Sequence, residues 1–231
     1  MGLSRGRPKG SKHIIEGQYK RDGFTPDEIT NMLMDAKRAK GYAHPVPNSY
    51  LAQRDACLIA ILALFGKRES EVASIRRKGV TIDGDRMLIR FRLSKRLTKK
   101  KLAKDPNAQV PTVVKPKTLR NPLVKYITDY IVIRDSSYPR SPWLFPSGKI
   151  KGAHIRPWHV WRIIKRLNKN AWPHWFRHSL ADMMVKHRRD IQELMEWFDW
   201  KRADTAVDYV RAGAGGRIRE MGEEDYWVKS V

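Results

Sequence analysis

The sequence predicts a mainly helical fold that carries a small antiparallel β-sheet, an α+β class. Apolar residues recur at helical spacing in a series of segments between residues 26 and 210. Strand character, with β-branched or alternating apolar residues, is confined to residues 86–93 and 109–114. Hydrophobic residues make up 41% of the 231 positions and include eight Trp, enough apolar surface for one well-packed body with appendages. Few strands among many helices set the class.

Residues 1–24 are rich in Gly, Lys and Arg and poor in large apolar groups, so burial cannot offset the entropy of ordering them, and they are predicted to form a mobile basic arm. Within it Arg5-Gly6-Arg7-Pro8-Lys9-Gly10 resembles an AT-hook, whose arginines enter an A·T-rich minor groove; a solvated basic tail explains the same residues equally well. A helix is predicted over 26–40. Thr25 caps it, Pro26 suits its first turn, Glu28 completes a capping box, and Ile29, Met32, Leu33 and Ala36 form one stripe. After the Pro45-Val46-Pro47 break, Asn48 and Ser49 precede a strongly apolar helix that runs to Phe65 and ends at Gly66. A short helix over 69–76 follows, then the two strands, joined by the Lys-rich stretch 95–104. Further helices are expected over 119–134, 157–168, 173–187, 191–198 and 203–210. The run Ala212-Gly213-Ala214-Gly215-Gly216 reads as a linker, and residues 218–231 as a last short helix anchored by Tyr226, Trp227 and Val228. The predicted organisation is an arm plus one helix over 1–45, a central domain over 46–212 and a tail over 213–231.

Lys and Arg number 47 against 24 Asp and Glu, a net charge of +23, which creates a field attractive to a polyanion. The charge is spread along the chain and not gathered on one amphipathic helix, so double-stranded nucleic acid is a better partner than a membrane surface. Arg76, Arg77, Lys78, Arg96, Lys99, Lys100, Lys101, Lys165, Arg166 and Arg188 are candidate phosphate contacts. The single cysteine, Cys57, sits in an apolar run, where it packs as a small hydrophobe and has no internal disulfide partner. No stretch is apolar enough to span a bilayer or to serve as a signal peptide core, which predicts an intracellular protein.

Separated pieces of the chain together supply what phosphodiester cleavage needs. Gly66-Lys67-Arg68-Glu69-Ser70-Glu71-Val72 places Arg68 after a buried helix, where a guanidinium can hold two phosphate oxygens while Glu71 fixes its plane; a structural Arg–Glu pair is the plainer reading of this piece alone. Pro173-His174-Trp175-Phe176-Arg177-His178-Ser179 puts His174, Arg177 and His178 on one helix face at spacings of three and four. That face joins a proton-transfer group to a phosphate clamp. Two histidines at this spacing also suit zinc, but no nearby Cys, Asp or Glu completes a ligand set, so no metal is expected. Trp200 and Tyr209 flank the connection into the last helix. A tyrosine hydroxyl, with a pKa of about 10, needs a cationic pocket or a base to act as a nucleophile, and Arg68 and Arg177 are available to form one.

These boxes, in this order, resemble those of the tyrosine recombinases (phage-type integrases), over roughly residues 48–212. The resemblance implies the catalytic fold of DNA breaking–rejoining enzymes and a site-specific recombinase that is independent of metal, ATP and other cofactors. It further implies that Tyr209 attacks the scissile phosphate to leave a 3′-phosphotyrosyl enzyme and a free 5′-hydroxyl, with strands exchanged through a Holliday junction. Arg68 and Arg177 would bind the non-bridging oxygens. His174 would act as general base or proton shuttle, and a lysine on the turn between strands, for which Lys95 is the choice, would protonate the leaving oxygen. Trp200 stands where most of the family has His and a minority Trp, and Asp199 where most have Gly; an indole N–H donates to phosphate but shuttles no proton. Residues 1–45 resemble a short or incomplete core-binding region. The family also implies a tetramer on two DNA sites, with the tail docking on a neighbour; a tail folded back on its own domain explains the same residues equally well. Type IB topoisomerases share the chemistry, and a non-catalytic DNA-binding relative would share the fold.

Overall fold

The computed structural model describes residues 23–93, 109–187, 189–207 and 209–210. Arg5, Arg7, Lys9, Lys95, Arg96, Lys99, Lys100, Lys101, Arg188 and the tail 213–231 lie outside the described residues. The elements run α1 (Pro26–Lys37), α2 (Tyr50–Phe65), α3 (Glu69–Ala73), β1 (Val80–Asp83), β2 (Arg86–Arg92), β3 (Thr112–Thr118), α4 (Val124–Ser137), α5 (Pro157–Leu167), α6 (Pro173–Lys186) and α7 (Ile191–Phe198). Helical residues 203–207 and 209–210 follow.

The capping chemistry sets the helix starts. Thr25 and Glu28 form the reciprocal capping box of α1, and the Ser49 hydroxyl accepts from the Ala52 N–H at the start of α2. Helix α2 is buried on nearly all sides, from Ala52 through Leu58, Ile59, Ile61 and Leu62 to Phe65, and is the axis of the core. It packs against α1, α4 and α6. Each fully buried Leu or Ile contributes roughly 1.5–3 kcal/mol by leaving water. Met32, Leu33 and Ala36 of α1 join the same core, as does Phe24, whose ring meets Trp175 and Phe176 of α6 at centroid distances of 5.6 and 4.5 Å. The chain ahead of α1 is thereby tied to the helix that carries His174 and Arg177.

The sheet is antiparallel in the order β1-β2-β3, with Ile82 opposite Met87 and Ile89 opposite Lys115. The sequence reading missed β1, a four-residue strand with one buried position. Its hairpin turns through Gly84 at φ 55°, a left-handed conformation that glycine adopts without a Cβ penalty. Strand β3 starts and ends later than the 109–114 reading, continuing through Pro116. The proline is tolerated because β3 lies at the edge among the described strands, so one side of it needs no ladder donor from them. Helix α4 also starts later than expected, because residues 119–123 turn first, with Leu119 N–H bonded to the Asp85 carbonyl at 2.8 Å.

A second, smaller apolar cluster joins Ala181 and Val185 of α6, Leu194 and Phe198 of α7 and Ala206, with Trp200, Tyr209 and Val210 packed on it. Helix α6 contributes to both clusters, and Arg177 lies where they meet.

Candidate active site

Helix α2 ends at Gly66 in the left-handed conformation, φ 57°, and a Cβ there would stand 2.6 Å from the Phe198 ring. Glycine is therefore required both for the turn and for the close approach of α7. Two residues on, Arg68 caps α3 in extended backbone. The carboxylate of Glu71 accepts from the Arg68 backbone N–H and from its Nη1, each at 3.0 Å. Glu71 is buried while the Arg68 side chain keeps 29% of its surface, so the guanidinium is anchored on one edge and open on another.

Pro173 opens α6 and turns Phe176 and Arg177 inward, leaving His174 and His178 exposed. Arg177 donates through Nη1 to the Gly66 carbonyl at 3.0 Å and through Nη2 to the Phe198 carbonyl at 2.6 Å. Its guanidinium also lies over the rings of Phe198 and Trp200, 4.7 and 5.4 Å from their centroids. Burial, and then repulsion from Arg68, holds its pKa down to about 10, while Glu71, Tyr209 and Asp199 act the other way. Arg177 stays a cation at neutral pH. Two guanidinium groups that repel each other in a partly dry site are relieved by an anion between them.

Asp199 ends α7 in the left-handed region at φ 56°, a conformation Asp adopts more readily than most residues with a side chain. This is the position at which the family resemblance leads one to expect glycine. Trp200 follows, stacked on Phe198 at 4.8 Å and on Tyr209 at 5.5 Å with planes 11° apart. The Tyr209 hydroxyl is in hydrogen-bond contact with Nδ1 of His178, and the Tyr209 ring is only partly buried. The structure thus gathers Arg68, Glu71, Arg177, His178, Trp200 and Tyr209 in one chain. His174 sits one turn earlier on α6, and it is His178 that meets the tyrosine.

Two expected phosphate contacts are occupied internally. Arg166 forms an ion pair with the fully buried Asp55 and packs over the Tyr42 ring at 3.8 Å, because Asp55 needs a counter-charge away from water. Arg77 holds the Asp135 carboxylate with Nε at 3.1 Å and Nη2 at 2.9 Å. Lys165 lies over the Trp172 ring at 3.8 Å. Arg76 and Lys78 remain exposed and line a cleft of about 640 Å³ together with Arg90 and Arg92 of β2. The last two were missed as candidates, although their alternation with buried Ile89 and Phe91 puts them on the outer face. The sequence reading also missed Lys67, buried beneath the site and paired with Asp199. Among the described residues no group of three His, Cys, Asp or Glu side chains is placed to hold a metal ion, and no helix is long and apolar enough to cross a membrane.

Residues 24–214 match the phage integrase family, and the chain belongs to that family. Tyrosine recombinase XerA of Pyrococcus furiosus is 26% identical over 204 residues, which cover 86% of this chain and 63% of that protein. Among solved structures, the XerH site-specific recombinase bound to its difH substrate in a pre-cleavage complex superposes with a TM-score of 0.62 at 16% identity, over 90% of this chain and 53% of XerH. The Tn1549 transposon integrase in complex with transposon right end DNA gives 0.58 at 14% identity, over 90% of this chain and 69% of the integrase structure. These superpositions establish the shared fold. The chain spans about half the length of XerH and less than two thirds of XerA.

Proposed function

We propose that this protein is a site-specific DNA recombinase that cleaves and rejoins strands through a covalent link to Tyr209. The observation that carries the reading is the convergence of Arg68 and Arg177 with a partly exposed tyrosine that touches an imidazole. The Tyr209 oxygen attacks the phosphorus and passes its proton to His178. The P–O5′ bond breaks, leaving a 3′-phosphotyrosine, and the 5′-oxygen takes a proton from a lysine of the 95–101 segment, Lys95 by the sequence pattern. Arg68 and Arg177 bind the non-bridging oxygens, where negative charge grows in the transition state, and the Trp200 indole N–H donates to one of them. His174, exposed on the first turn of α6, serves as a proton shuttle on the substrate side. The reverse attack by a 5′-hydroxyl restores a phosphodiester without ATP, because the link conserves the energy of the broken bond.

Duplex DNA is the substrate, in keeping with the net charge of +23 and the cleft lined by Arg76, Lys78 and Arg90. The catalytic domain comprises residues 46–212, with the arm and helix of 1–45 ahead of it and the tail 213–231 serving a tetramer assembled on two DNA sites inside the cell. A nicked suicide substrate tests the reaction. Wild type is expected to accumulate a covalent protein–DNA adduct and Tyr209→Phe none; equal adduct from both proteins would assign the attack elsewhere, and none from wild type would leave a binding protein. A two-site exchange assay beside supercoil relaxation distinguishes recombination from relaxation alone.

A further inference from the structure

The two carbonyls that hold Arg177 belong to distant parts of the chain. Gly66 ends α2 and Phe198 ends α7, and each is followed directly by a residue whose charge pairs with the other: Lys67 with Asp199. The Lys67 side chain is fully buried and its Nζ also donates to the Trp197 carbonyl at 3.3 Å. Burial lowers the Lys67 pKa, and Asp199 opposes the shift. Lys115 of β3 adds a second cation 3.5 Å from the other Asp199 oxygen and donates to the Glu196 carbonyl. Three elements, the ends of α2 and α7 and the edge strand, thus converge on one carboxylate.

We infer that the Lys67–Asp199–Lys115 cluster is a clip that fixes the Gly66 and Phe198 carbonyls relative to each other and so sets the position of the Arg177 guanidinium. A buried ion pair adds little net stability, because lost hydration cancels most of its attraction. What it supplies is direction, through charge-assisted hydrogen bonds of narrow geometry. The clip also fixes the left-handed turn at Asp199 that delivers Trp200 to the faces of Tyr209 and Arg177. Lys67, Asp199 and Lys115 are positioning residues: they pair with one another and with backbone carbonyls, and they act on the phosphate through Arg177 and Trp200. The inference rests on the cleavage reaction proposed above.

The test is single-turnover adduct formation on the nicked substrate, with DNA affinity and melting temperature measured alongside. The double change Lys67→Met/Asp199→Gly removes both partners of the pair and keeps a residue suited to the left-handed turn. It is expected to slow adduct formation about tenfold, with affinity held within about twofold, because misplacing a catalytic group affects the transition state more than ground-state binding. In an Arg177→Lys background the same double change should slow cleavage further by less than about twofold, since residues acting as one unit are not additive. Asp199→Asn, which keeps the turn and an acceptor for Lys67, is the milder variant and should slow cleavage about threefold at unchanged affinity. Wild-type rates from either variant, or a full tenfold loss in the Arg177→Lys background, would overturn the clip. No adduct from wild type would instead overturn the underlying reaction and the clip with it.

Discussion

The arginine half of the candidate site and the tyrosine half rest on different amounts of packing. Arg68 follows directly from α2, whose buried face runs without a break from Leu58 to Leu62, and Arg177 is bonded to the carbonyl that ends that helix. Tyr209 rests on the satellite cluster, whose buried members are Ala181, Val185, Leu194, Phe198 and Ala206. Segments with few buried apolar contacts open locally at lower free energy than the core does. The arginine pair is thus preorganised by the whole fold, whereas the position of Tyr209 depends on a handful of side chains and on its stacking with Trp200.

Truncations in the two regions should therefore fail differently. The largest effect is expected from Leu58→Ala, which opens a cavity in the main core and should cost about 2–5 kcal/mol of stability, seen as a clear fall in melting temperature. The protein that remains folded should still form adduct at the wild-type rate. Leu194→Ala should lower global stability by less, toward the low end of that range, because its cluster is small and yields locally. Adduct formation should nonetheless drop, since α7 and the helical residues after it lose their seat. Parallel melting and single-turnover measurements check the contrast; equal melting shifts with unchanged rates in both variants would erase it.

The smallest effect concerns surface charge. Exposed Arg90 should contribute to phosphate binding, so Arg90→Ala is expected to lower the slope of log affinity against log salt by about 1. Arg166→Ala should leave that slope unchanged, because its guanidinium is already paired with Asp55, and should show itself as lost stability instead. A slope change for Arg166 equal to that for Arg90 would mean that both face DNA.

The helix framework was legible because its signals are local. Thr25 with Glu28, Ser49, Gly66 and the first-turn prolines Pro157 and Pro173 each mark a boundary within a few residues, and each lies where the structure uses it. The sheet was less legible: β1 has only one buried position, and Pro116 interrupts the strand pattern of β3 although an edge strand accommodates it. In the site, the residue types of the boxes and their order identified Arg68, Arg177, Trp200 and Tyr209 as a set. Pairing at long range was not legible. Neither the contact of Tyr209 with His178, in place of His174, nor the bonds of Lys67 to Asp199 and of Arg166 to Asp55 leave any local pattern, since each depends on how helices far apart in the chain come together.

The attachment point of DNA on the protein tests the central claim most directly. Trapped adduct digested with protease and nuclease should yield a single nucleotide-bearing peptide, with the added phosphate located by fragmentation on Tyr209. The phosphate mapped to a histidine, a serine or another tyrosine would contradict the site described here.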